Sequence, residues 1–312
     1  MLAGAGGWLV RRVYDAPGPL AAPRDVVIPR GGPAQVAAAL QGAGVIDRPV
    51  AFRAAAAVTL AAGPLHAGEL AFPAHSSLRT VLAVLRQGRP VLHFLTIPEG
   101  LTAAQIARLL DAAPALTGET VVPPEGGVLP QTYAYDYGAT RASVLGRAEA
   151  AMRAALAHAW DGRDPDLPLD DPDQLLTLAS LVERETALPA ERAHVAAVFV
   201  NRLRRGMRLQ SDPTVAYAAT GGDATARRGL TRDDLAMPNP YNTYRVAGLP
   251  PGPIDSPGAA ALQAVAHPAP GDDLYFVADG SGGHAFARTL EEHERNVARW
   301  RAGQAASRGA EP

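Results

Sequence analysis

The chain has no cysteine among its 312 residues, which excludes disulfides and thiolate-held metals and leaves thiol usage silent about the compartment. It also has no excess of charge of either sign. The 29 Lys and Arg against 31 Asp and Glu leave a net charge of −2, which argues against a general nucleic-acid binder. The apolar run Met1–Val10, followed by Arg11 and Arg12, is too short for a bilayer, which needs about 20 residues. It lacks the basic start and small-residue cleavage site of a signal peptide. His284 and His293 fall on different predicted elements with no cluster of further ligands, so no metal site and no cofactor are expected. Against these absences, hydrophobic residues make up 47% of the chain, ample for a core, and the length suggests about two domains.

The best-marked element is a predicted helix from Asp171 to Ala187. Asp171 suits the cap, Pro172 the first helical position, and Gln174 a capping-box-like partner three residues on. Leu175, Leu178, Ala179 and Val182 share one face, while Leu176 and Leu181 lie off it, so the helix is apolar nearly all round and should be buried. Glu183 enters this helix beside Leu176, Ala179, Ser180 and Ala187. Two readings follow. Glu183 marks a solvent-facing end, paired with Arg184 or Arg192, which is the commoner arrangement for a helix taken alone. Otherwise it is a desolvated carboxyl with a raised pKa, suited to general acid catalysis.

Residues 15–24, rich in Pro and Ala, read as a linker. Three strand–turn–helix units follow at 26–40, 70–85 and 95–110, each strand ending at Pro. Residues 111–138 carry little regular pattern. A long helix is predicted over 140–160, a loop over 161–171, and, after the central helix, another from Pro189 to Gly206. Leu209–Val215 reads as a polar strand or loop, 248–258 as a stiff Gly- and Pro-rich segment. Leu274–Ala278 and the stretch from His284 form a hairpin around Gly280–Gly283, and 289–301 forms a last helix. The fold class expected is α+β: a small strand–helix domain over 24–98, then a mainly helical domain over 99–302 with a small sheet or hairpin. Residues 303–312 read as a disordered tail.

Five blocks resemble, in order, the MltG/YceG family of endolytic murein transglycosylases. They are Leu-Ala-Ser-Leu-Val-Glu-Arg-Glu-Thr (178–186), Val-Phe-Val-Asn-Arg-Leu-Arg-Arg-Gly-Met-Arg-Leu-Gln-Ser-Asp-Pro-Thr-Val (198–215), Pro-Tyr-Asn-Thr-Tyr (240–244), Gly-Leu-Pro-Pro-Gly-Pro-Ile (248–254) and Tyr-Phe-Val-Ala-Asp-Gly-Ser-Gly-Gly-His-Ala-Phe (275–286). The resemblance covers residues 24–302 and is strongest from 175 on. It implies a LysM-like first domain and a membrane anchor of which residues 1–23 would be the remnant and linker. It implies an enzyme on the outer, periplasmic face of the cytoplasmic membrane. There it would cut nascent peptidoglycan glycan strands, with cell-wall synthases (penicillin-binding proteins) as partners. The three strand–helix units suit such a LysM-like domain, and equally a packing module with no sugar contacts.

In this class one Glu protonates the bridging oxygen and then takes a proton from the muramoyl 6-hydroxyl, closing a 1,6-anhydro ring. The resemblance makes Glu183 that residue. It implies substrate contacts from Gln210, Asp212, Tyr241, Asn242, Thr243 and Tyr244, although turn chemistry also explains Asp212-Pro213 and Asn242-Thr243. Glu125 is expected near the cleft. Its segment, Pro123–Tyr133, departs from the family pattern, with Gln131 where Asp is usual, and a surface loop explains the same residues. Glu185 faces elsewhere on the helix and reads as structural, paired with an Arg. Two alternatives stay open: a muramidase-type hydrolase with Glu183 and Asp212 as its carboxylate pair, and a peptidoglycan-binding scaffold without turnover.

Overall fold

In the computed structural model the described residues are 11–222 and 229–309. The first ten residues, where the anchor remnant was expected, lie outside them. No helix among the described residues is long and apolar enough to cross a membrane. In chain order the elements are β1 (Arg24–Ile28), α1 (Pro33–Gly42), α2 (Pro49–Val58), β2 (Gly68–Phe72), α3 (Leu78–Gln87), β3 (Leu92–Thr96) and α4 (Ala103–Ala112). There follow β4 (Thr132–Asp136), α5 (Arg141–Gly162), α6 (Pro172–Glu185), α7 (Arg192–Arg204), α8 (Asp212–Thr220) and α9 (Arg232–Ala236). The last are α10 (Ala259–Ala266), β5 (Tyr275–Ala278), β6 (His284–Ala287) and α11 (Leu290–Gly309). The sheets are two-stranded, β1–β2, β3–β4 and β5–β6, so the chain is α+β and mainly helical.

The chain divides into two compact units, one of residues 1–94, 114–117 and 134–140, the other of 95–113, 118–133 and 141–312. In the first, β1 and β2 run antiparallel, with Arg24 opposite Phe72 and Ile28 opposite Gly68. Val26, Ile28, Leu70 and Phe72 point inward at alternate positions and meet Val36, Leu40, Phe52, Val81, Leu82 and Leu85 from the helices. Each of the strand–turn–helix units read from the sequence is present, and α3 starts on a Ser77 cap that accepts the Thr80 N–H.

The second unit is built around α6. Asp171 accepts the Gln174 N–H at 2.8 Å, while the Gln174 side chain accepts from Asp170, one residue outside the expected box. Residues Leu175 to Val182 are all buried, and α6 packs against α5, α7 and α10. An all-round apolar helix can be satisfied only in this way.

Three expectations are corrected. Asp212-Pro213 opens helix α8 instead of a turn or strand, Pro213 occupying the first turn where no N–H bond is needed. The irregular stretch 111–138 contains strand β4. The last helix runs on to Gly309, through Ala302, Gln304, Ala305 and Ala306, residues of good helix propensity in a segment whose polarity suggested disorder. Residues 310–312 lie outside the described set.

One serine links the core helix to the loop that matters below. Ser180, fully buried, donates to the Thr177 carbonyl at 2.7 Å and accepts the Ile254 N–H at 3.1 Å. Ser180→Ala strands that N–H in the interior. The expected loss is about 1–3 kcal/mol, read as a lower urea midpoint at unchanged slope.

Candidate active site

Glu183 sits in the last turn of α6, and its side chain is only 6% exposed. Three chain segments meet it. From α7, Arg192 Nη2 approaches Oε1 at 3.4 Å. From the N-terminal end of α10, the Gly258 N–H donates to Oε2 at 2.9 Å. From the turn before α4, Glu99 shares the same Arg192 nitrogen, 3.2 Å from its own Oε2. A Cβ on Gly258 would stand 2.0 Å from Glu99 Oε1, so a side chain there would displace the Glu99 carboxyl from this corner. Burial raises the Glu183 pKa. The Gly258 N–H and Arg192 oppose the rise, and the charge and hydrogen bond of Glu99 add to it. Both sequence readings are thus partly realised: Glu183 is ion-paired with Arg192, and it is desolvated.

The loop bearing Glu99 is fastened to the loop bearing Gly258 by main-chain bonds. Gly100 N–H donates to the Ser256 carbonyl at 3.0 Å, and Ser256 N–H to the Leu101 carbonyl at 2.9 Å. Arg184 adds a bond from Nη1 to the Gly100 carbonyl at 3.2 Å. Between them Asp255 is buried, with Arg184 Nε 4.0 Å away and no hydrogen bond to either carboxyl oxygen. Burial pushes its pKa well above the ordinary carboxylate range. Ser180 anchors the same loop from beneath, so α6 sets both the acid and the segment that donates to it.

The other expected residues form two neighbouring groups. Glu125 accepts the Ala103 N–H, at the start of α4, at 2.8 Å and the Tyr217 hydroxyl at 3.2 Å, and Tyr217 packs against Tyr241 with ring centroids 4.8 Å apart. Burial raises the Glu125 pKa, against those two bonds. Gly126, at φ +71°, lies so close to Pro253 that a Cβ would stand 2.7 Å from it. This contact brings the Glu125 segment against the 253–255 loop.

The second group is centred on Ser211, whose hydroxyl donates to Glu185 Oε1. Gln210, exposed, holds a left-handed backbone at φ +49°, a conformation that a non-glycine residue adopts only under constraint. Its N–H donates to the Thr243 carbonyl at 3.2 Å. Asp212, also exposed, accepts the Tyr244 hydroxyl at 2.6 Å. Asn242 and Thr243 are fully buried. Asn242 Nδ2 donates to the carbonyls of Asp234, Leu235 and Met237, while Thr243 Oγ1 bonds Ser211 N–H and the Thr214 hydroxyl. Both spend their polar atoms on the loop itself.

Glu185 departs from expectation. Its partner is the Ser211 hydroxyl and not an arginine, because Arg202 turns its guanidinium to the Leu274 and Leu209 carbonyls, each at 2.6 Å. Glu185 is pushed up to about 7 by burial, with the Asp212 charge adding and the Ser211 bond opposing. His284 pairs with Glu191, Nδ1 to Oε2 at 2.7 Å, as a hydrogen-bonding histidine. Sequence reasoning missed Glu99, Asp255, Gly258 and Tyr217. Glu99 was hidden in the Pro98-Glu99-Gly100 turn, which reads as punctuation before a helix. No group of three or more His, Cys, Asp or Glu among the described residues could hold a metal.

A desolvated carboxyl, anchored by one backbone N–H and one arginine at the end of a core helix, is an arrangement that favours the acid form more than an exposed glutamate does and can give up that proton. Residues 26–299 match the YceG-like family, and the chain belongs to it. It is similar to the endolytic murein transglycosylase of Bacillus subtilis (strain 168), 44% identical over 122 residues, which are 39% of this chain and 33% of that protein. It is 34% identical over 251 residues to the enzyme of the same name from Streptococcus pneumoniae (serotype 2, strain D39), covering 67% of this chain and 45% of that protein. The chain therefore spans less than half the length of these curated relatives. The crystal structure of a YceG-like protein from Listeria monocytogenes superposes with a TM-score of 0.55 at 27% identity, covering 88% of this chain and 98% of that one.

Glu185 generates a prediction about stability. Its acid form is favoured by folding, with a pKa of about 7 against an ordinary 4.5, so the native state binds the extra proton. Stability from this group is present at low pH and is lost as pH rises from about 4.5 to about 7, by an amount on the order of 3 kcal/mol. Urea titrations across this range should show wild type losing more stability than Glu185→Gln.

Proposed function

We propose that this chain is an endolytic peptidoglycan lytic transglycosylase that cuts between N-acetylmuramoyl and N-acetylglucosaminyl residues and leaves a 1,6-anhydromuramoyl end. The observation that carries the reading is the desolvated, anchored Glu183 at the end of α6. Its family and its similarity to proteins named endolytic murein transglycosylases support the substrate class.

Glu183 in its acid form protonates the glycosidic oxygen. As the bond breaks, the positive charge at the anomeric carbon is met by the muramoyl 6-hydroxyl, and the Glu183 carboxylate takes the hydroxyl proton as the anhydro ring closes. The residue ends protonated, as it began. Gln210, Asp212, Tyr241 and Tyr244 offer amide, carboxylate, hydroxyl and aromatic surfaces to the sugar, while Asn242 and Thr243 hold the loop that presents them. Glu125 steadies the start of α4 and, with Tyr217 and Tyr241, lines the same side. The first unit is a LysM-like glycan contact on this reading. Family resemblance supports action on nascent strands at the outer face of the cytoplasmic membrane, a single-pass anchor and cell-wall synthases as partners.

The hydrolase alternative needs Asp212 as an essential second carboxylate. Asp212 is instead exposed and bound by Tyr244, and its charge acts on Glu185. The deciding experiment is mass spectrometry of products from purified sacculi, which should carry anhydro ends. Free reducing ends would favour the hydrolase. Glu183→Gln should remain folded and lose at least about 10²-fold in activity, the usual scale of general acid catalysis. Asp212→Asn should keep measurable turnover and still give anhydro ends.

A further inference from the structure

The functional reading gives work to Glu183 alone, yet a second carboxyl stands against it. We propose that Glu99 is a positioning residue for Glu183: the two carboxyls converge on one nitrogen of the Arg192 guanidinium, and Glu99 is the like-charged neighbour that makes Glu183 harder to ionise. This rests on the reading of Glu183 as the acid.

The geometry is specific. One nitrogen, Arg192 Nη2, lies 3.2 Å from Glu99 Oε2 and 3.4 Å from Glu183 Oε1. The Glu99 charge acts on Glu183 and opposes its ionisation. The pair is unequal: Glu183 is 6% exposed and Glu99 43%, while Arg192 is 13% exposed, with its Nε buried and unpartnered. The cost of carrying charge therefore falls more heavily on Glu183, the buried member. The arrangement is enforced by the main chain, through the Gly100–Ser256 and Ser256–Leu101 bonds, and by the missing side chain at Gly258.

The groups around Glu183 are few. From α7 there is Arg192, and from the turn before α4 there is Glu99. From the loop before α10 there is Asp255, whose pKa burial raises well above the ordinary carboxylate range. From its own helix there is Arg184, directed to Asp255 and the Gly100 carbonyl. Glu99 is thus the like charge that adds to burial in opposing the ionisation of Glu183. The pair suits chemistry in which the acid returns protonated each cycle, so that only its resting proton must be secured.

The experiment is a titration of Glu183 in the full chain, by infrared difference spectroscopy of carboxyl-labelled glutamate, with Glu183→Gln identifying the band. In Glu99→Gln the Glu183 midpoint should fall by about one pH unit or more, as removal of an adjacent like charge requires. The alkaline limb of the pH–rate profile should move down with it. Glu99→Asp, which keeps the charge, should move the midpoint less than Glu99→Gln. If Glu99→Gln does not fold, Arg192→Met supplies the opposite test, since loss of the cation should raise the midpoint. An unmoved Glu183 midpoint in either folded variant overturns the proposal. A midpoint that moves in a protein inert toward glycan upholds the pair and removes the functional reading instead.

Discussion

The site depends on keeping a carboxyl out of water without leaving it unbonded. Glu183 is carried inward by α6, whose buried run from Leu175 to Val182 admits no other orientation. An isolated charge there would be prohibitive, and it is relieved by one main-chain donor, Gly258, and one cation, Arg192. Neither is strong enough to restore an ordinary pKa against burial. A raised pKa is the consequence of that imbalance, and much of the surrounding structure serves to maintain it.

That maintenance is done by backbone more than by side chains. The segment from Pro250 to Gly258 is tied to α6 through the Ser180–Ile254 bond, to the Glu99 turn through paired main-chain bonds, and to Gly126 by direct packing. Pro250, Pro251, Pro253 and Pro257 restrict the same segment before any contact is made. A rigid loop that presents one N–H is how a weak donor becomes a dependable one. The Gln210–Ser211 corner follows the same logic, its left-handed residue held by bonds to Thr243 so that exposed and buried side chains alternate along a short stretch.

The two groups flanking Glu183 differ in character. Glu125, Tyr217 and Tyr241 make a half-buried aromatic and acidic wall. Glu185, Ser211, Asp212 and Tyr244 make a polar network in which one acid is part-buried and the other faces solvent. Two carboxyls two residues apart on one helix thus meet different environments, because the helical turn sends them to opposite sides.

Local patterning determined much of this protein. The caps and apolar faces located α3, α5, α6 and α7, the strand–turn–helix units of the first half were legible as such, and Glu183 stood out because a charge interrupts an otherwise apolar helix. Such features depend on neighbours within a few residues, and a sequence displays them directly. What only the tertiary structure decided is which distant residues share the buried corner with Glu183. Glu99, Arg192, Asp255 and Gly258 come from three segments far apart in the chain, and the turn holding Glu99 looks, as a string, like any helix start. Asn242 and Thr243 show the converse: polar residues in a loop suggest contact with substrate, and packing turned them inward to hold the loop. Burial and hydrogen-bond partners across long separations arise from how the elements pack, and no local pattern carries that information.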